Sequence, residues 1–143
     1  MRDKLEPILE DYVPAKDCDI KEIEKLTNIV LPVAYVEFVK IYGRSTFDGF
    51  AKVVTDKTEL GVFTWFGGGN GNGSVIEDIK AHEDYAQQGI IPIADDMFNN
   101  RFIINGSNGE ISFIEYSSGT AETIKVANSF EEFINNIQVE EDE

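Results

Sequence analysis

Cysteine and histidine occur once each in this 143-residue chain, proline four times, and 12 basic residues stand against 27 acidic ones. A single thiol, Cys18, cannot close an internal disulfide, so a cystine-stapled scaffold is excluded. No apolar run approaches the ~20 residues that a membrane span requires. The opening Met1-Arg2-Asp3-Lys4 leads into no apolar segment, which predicts no signal peptide and a soluble, cytoplasmic protein. The shortage of positive charge leaves a net charge of −15. Nucleic acid and anionic lipid are both negatively charged, so neither is expected as a partner. The sign suits a basic protein partner, drawn in by long-range attraction. It equally suits a protein that acidity merely keeps soluble, and charge alone does not separate the two.

What is present is the material of a core. Hydrophobic residues make up 42% of the chain and ten are Phe, which predicts one folded domain of ordinary size. Leu5, Ile8, Leu9 and Tyr12 fall at helical spacing before Pro14. Asp19, with Glu22 three residues on, predicts a capped helix carrying Ile20, Ile23, Leu26 and Ile29. Leu31-Pro32 opens a second helix with Val33, Val36 and Val39 beside Tyr35, Phe38 and Tyr42, closed by Gly43 at positive φ. Residues 50–55 and 60–66 read as strands, and Ser74 with Glu77 caps a helix that runs to Gly89. Residues 90–94 read as a buried strand, and 101–105 and 110–116 as a hairpin around Asn108-Gly109. Residues 122–127 read as a last strand, and Ser129 with Glu132 caps a closing helix through Phe130, Phe133, Ile134 and Ile137. The run Glu140-Glu141-Asp142-Glu143 is expected to be solvated and frayed. Helices, then strands, then a helix is the order of an α+β domain.

Two separated stretches carry a family likeness. In the first, Glu24 precedes Leu31-Pro32, then Tyr35, Phe38 and Gly43. In the second, Ile91-Pro92-Ile93-Ala94-Asp95-Asp96 is followed by Asn100, Phe102, Gly109 and Ile111, then Phe130 and Phe133. Together they resemble the SMI1/KNR4 family of the SUKH superfamily over roughly residues 18–138, with a helical segment at 1–17 and an acidic tail at 139–143. The resemblance implies a twisted, mainly antiparallel sheet with helices packed on one side. It also implies a toxin-immunity function, since small bacterial members mostly bind and neutralise polymorphic toxins.

Candidate chemistry is thin. The tract 67–73 precedes a helix, as phosphate-binding loops do, but lacks the Gly-Lys-Ser/Thr ending and the dinucleotide spacing. It reads as a mobile connector that can also adapt to a partner. His82 would need a serine placed against it to form a triad, or further ligands to hold zinc, and reads as a solvent-facing helix residue. Asp95-Asp96, near Asn99 and Asn100, can hold a divalent ion or serve as acid and base, yet the calcium-loop spacing is absent. A turn in which the carboxylates satisfy backbone donors is preferred, as the resemblance also implies. No metal, cofactor or catalytic residue is expected.

Trp65 and Phe66 are adjacent, so a regular strand exposes one of them, and Trp65 becomes a candidate contact. With it stand Asn70, Asn72, Glu77, Asp78, Asp84, Asp95 and Asp96 as candidate partner-binding residues. The expected partner is a basic toxin domain, a nuclease or deaminase, blocked at its active site by a monomer or weak dimer. A regulatory or scaffold module without a toxin, and a small metal-dependent hydrolase built on Asp95, Asp96 and His82, are the alternatives.

Overall fold

The first long helix, α1 (Asp17–Thr27), buries Ile20, Ile23 and Thr27 along one stripe. The coordinates are a computed structural model that describes residues 5–7, 13–55, 58–116 and 122–140. Asp19 sits inside the first turn of α1, where its carboxylate accepts the Lys16 N–H at 2.8 Å and so satisfies an otherwise orphaned donor. The helix therefore starts two residues before the cap expected at Asp19. Asn28, left-handed at φ 56°, ends it. Glu24 then reaches forward to accept the Leu31 N–H at 2.8 Å, which ties α1 to the start of α2 (Val33–Tyr42). Pro32 occupies the N-cap of α2, one position earlier than expected. Gly43 ends α2 with φ −54°, so positive φ is not its reason for being glycine. A Cβ there would lie 2.7 Å from the Val13 carbonyl and 2.9 Å from Gly67 Cα.

The sheet begins with β1 (Leu5–Pro7), which pairs with β2 (Ser45–Val54), where a helix was expected. Pro7 has no N–H to donate and is tolerated because, among the described residues, β1 bonds a strand on one side only. Ile8, Leu9 and Tyr12 of the expected helix lie outside the described residues. β2 pairs with β3 (Glu59–Trp65), and a bulge between Thr46 and Ala51 contains Gly49 at φ 122°. Asp56 and Lys57 in the connection lie outside the described residues.

Beyond the glycine tract, Ser74 Oγ accepts the Glu77 N–H at 3.0 Å and opens α3 (Val75–Ala81). The single helix expected to Gly89 is broken at His82, and α4 (Glu83–Gln88) follows before Gly89 turns left-handed at φ 66°. An antiparallel run of β4 (Ile90–Asp95), β5 (Arg101–Asn105), β6 (Ile111–Glu115) and β7 (Glu122–Ala127) completes the order β1 to β7. Gly109, at φ 76°, makes the β5–β6 turn as expected. Ser129 caps α5 (Phe130–Asn136) through the Glu132 N–H. The chain then forms β8 (Gln138–Glu140), which pairs with β2 at Phe50–Lys52. Val139 and Glu140 are thus paired rather than part of a frayed tail; residues 141–143 lie outside the described residues.

The described residues form an α+β domain of five helices and an eight-stranded antiparallel sheet. Its centre is Trp65, 1% exposed and ringed by Phe38, Phe47, Phe130 and Phe133 at centroid distances of 4.7 to 6.1 Å. Leu31, Tyr35, Phe38, Ala94, Phe130 and Phe133, which carry the family likeness, are all buried in this core, as is Pro92. Edge-to-face ring contacts of this kind add about 0.5–1.5 kcal/mol each beyond burial. None of the described helices is long and apolar enough to cross a membrane.

Candidate functional site

β3 and β4 meet only at Thr64–Asp95 and Trp65–Ala94, and the chain leaves β4 through a loop of residues 96–100. Asp96 builds that loop. Its Oδ1 accepts the Phe98 and Asn100 N–H groups at 2.9 Å each, and its Oδ2 accepts Asn100 Nδ2 at 3.0 Å. Asn99 takes φ 67°, a conformation asparagine tolerates better than most residues. Asn100 is buried, and its Oδ1 accepts the Tyr116 N–H at 2.8 Å. The carboxylate is thus engaged by backbone donors, as the turn reading expected.

The braced loop holds two apolar side chains into solvent: Met97 is 67% exposed and Phe98 77%. Across from them, on the open face of β2 and β3, Phe50 and Phe63 are each about half exposed. These four residues, with Glu59, Gly61 and Asp96, line a groove of about 340 Å³. Contiguous exposed aromatic and methionine side chains are uncommon on a monomer and mark contact surfaces.

Behind the loop lies a polar pocket of about 350 Å³ that gathers Asn72, Glu77, Asp78 and Asp95 from the expected set, with Asn99 and Arg101. Arg101 is buried and grips Asp78 with two hydrogen bonds, Nε to Oδ2 at 2.9 Å and Nη2 to Oδ1 at 3.1 Å. Its Nη1 donates to the Asn99 carbonyl at 2.8 Å, and its guanidinium lies 5.3 Å from the Phe66 ring centroid. Burial opposes the charge of Arg101, and Asp78, helped by Tyr85 and Asp95, more than offsets it. Asp78, named above as a candidate partner-binding residue, is therefore spent on an internal ion pair. Asp95 accepts the Thr64 N–H at 3.1 Å. Burial pushes its carboxyl up to about 6, against the pull of that N–H and of Arg101.

Trp65 is removed from the contact surface by its burial. The alternation that predicted one exposed aromatic fails because β3 ends at Trp65: the Phe66 N–H bonds the Ile93 carbonyl at 2.9 Å, and Phe66 is buried too. The glycine tract is bolted down rather than a mobile connector. Gly67 N–H donates to the Gly73 carbonyl, Gly68 N–H to the Val13 carbonyl, and an Arg44 Nη1–H to the Asn72 carbonyl. Only its tip, with Asn70 and Asn72, is exposed. Glu77 and Asp84 are exposed on α3 and α4.

His82 is half-buried at the α3–α4 break rather than solvent-facing. Its ring stacks on Tyr85 at 4.3 Å, and Nδ1 lies 2.9 Å from the Asp78 carbonyl. Tyr85 and Tyr116 share a 2.6 Å hydroxyl hydrogen bond, and burial raises the Tyr85 phenol. Among the described residues no group of three or more His, Cys, Asp or Glu is placed to hold a metal ion.

Sequence reasoning missed Phe50, Phe63, Met97 and Phe98. One signal was readable: Met97-Phe98 is an apolar pair inside an otherwise polar turn, where no core position is available to it.

No curated protein and no solved structure is similar to the chain at a significant level. The profile of the SMI1 / KNR4 family (SUKH-1) matches residues 14–136, which take in both helices of the first stretch, the β4 strand and α5. The chain belongs to the SMI1/KNR4 family.

Proposed function

We propose that this protein is an immunity protein, which binds a cognate toxin domain and covers that toxin's active site without turning anything over. The observation that carries this reading is the display of Met97 and Phe98 on a loop braced by Asp96. A surface held in place before contact loses little entropy on binding, and exposed aromatic anchors are where binding energy concentrates. Family membership supports a toxin-immunity type of role. The net charge of −15 supports a basic partner, such as the cleft of a nuclease or deaminase. Asn72 and Glu77, which line the polar pocket together with Asn99, next in sequence to Phe98, supply a polar rim in this reading, and such an interface buries about 800 Å² per partner. Asp96 serves this surface through the backbone it positions.

Co-expression with the product of the adjacent upstream gene tests the proposal. A stoichiometric complex and loss of toxicity are expected, and Phe98→Ala should weaken binding by at least about tenfold. Absence of a complex with any neighbouring toxin would remove the immunity reading.

A further inference from the structure

β3 runs past the end of β4, one of the two strands it pairs with. β4 stops at Asp95, opposite Thr64, so residues 59–63 project past its end. On one side they bond β2 through Val62, Gly61, Leu60 and Glu59. Along their other edge no strand lies among the described residues. Five residues of strand span roughly 17 Å, the length of an ordinary β-strand. Exposed edges of this kind are templates for another chain.

Two grooves flank this edge, each of about 340 Å³, and they share Glu59, Gly61, Asp96 and Phe98. One reaches the exposed Phe50 and Phe63, and the other reaches Leu60 and Phe113. An added strand points alternate side chains to opposite faces, so it would fill both grooves at once.

We infer that the overhang 59–63 receives an extended segment of a partner by strand addition, with apolar side chains in the two grooves and Lys or Arg beside Glu59 and Asp96. This deepens the toxin-binding proposal by naming how the partner is recognised, and it rests on that reading for the partner's biological identity only. A second copy of this chain is disfavoured as occupant because both copies carry −15.

The test needs no toxin. The intact protein is panned against a random peptide library of about a dozen residues per member, and enriched peptides are synthesised. Enriched sequences should be basic with apolar residues at alternate positions, and should protect amides within 59–63 from hydrogen exchange. N-methylation of alternate peptide amides, which keeps side chains but removes ladder hydrogen bonds, should weaken binding at least about tenfold. Phe98→Ala, an exposed position, should do the same while Gly71→Ala should not. The inference is overturned by no enrichment, by peptides that leave these amides exchanging, by indifference to N-methylation, or by amides already protected in the free protein. A toxin complex without peptide binding would sink strand addition alone; peptide binding without a toxin complex would sink the immunity reading alone.

Discussion

Asp95 illustrates how one residue can work against the fold that holds it. Its carboxyl, ordinarily at 3.8, is pushed up to about 6, chiefly by burial. Between those values the folded chain holds the proton more tightly than the unfolded chain. The associated stability is present below pH 3.8 and is lost as pH rises through about 6. Asp95→Asn keeps an acceptor for the Thr64 N–H and removes the charge. It should raise stability at pH 7 by on the order of 1 kcal/mol, allowing for solvent screening, and flatten the slope between pH 4 and pH 6. Urea denaturation at pH 5 and pH 7 reads this directly; a less stable Asn variant at pH 7 would contradict the burial argument. The glycine tract offers a second comparison. A Cβ on Gly68 would lie 2.5 Å from Asp19 Oδ2 and 2.7 Å from Ala15 Cα, whereas Gly71 has nothing within 4 Å. Gly68→Ala should destabilise by about 1–3 kcal/mol and Gly71→Ala should be nearly silent in the same assay. Spacing could not reveal this, because a glycine chosen for close approach and one placed at a loop tip are the same letter.

Elements whose cause is local were legible. Ser74 with Glu77 and Ser129 with Glu132 cap their helices as read, because a cap is a contact over three residues. The Asn108-Gly109 turn is legible for the same reason. Elements whose cause lies elsewhere in the chain were not. β1 and β8 have three residues each, too few for a period, and exist because β2 offers them an edge. At the break, His82 likewise stacks with Tyr116, which comes from just past the end of β6 and is invisible to local spacing. The same logic hid the proposed contact surface: Phe50 and Phe63 line one groove with Met97 and Phe98 only once β3 overshoots β4. β8 can be tested as a unit. Truncation after Ile137 removes its pairing with β2 and the 2.9 Å Lys52–Glu140 ion pair. A drop in melting temperature of a few degrees is expected. An unchanged transition would mean that β8 rests on the sheet without supporting it.

Charge acts on the molecule as a whole. A net −15 spread over one domain repels itself, so added salt should stabilise the isolated protein. The same field would draw the proposed basic partner in, and salt should slow that encounter. From low ionic strength to about 0.5 M, the association rate should fall at least about tenfold while dissociation changes little. A rate indifferent to salt would show that attraction plays no part in recognition. The position of Trp65 has an optical consequence for every such measurement. It is the chain's single indole, sealed among aromatic rings at 1% exposure, and among the described residues no acceptor takes its Nε1–H. Its fluorescence should be blue-shifted in the native protein and move to the red on denaturation, a clean reporter of global unfolding. Because it lies beneath the sheet rather than on the groove, the same emission should stay dark to docking, and association will have to be followed with a label or by calorimetry.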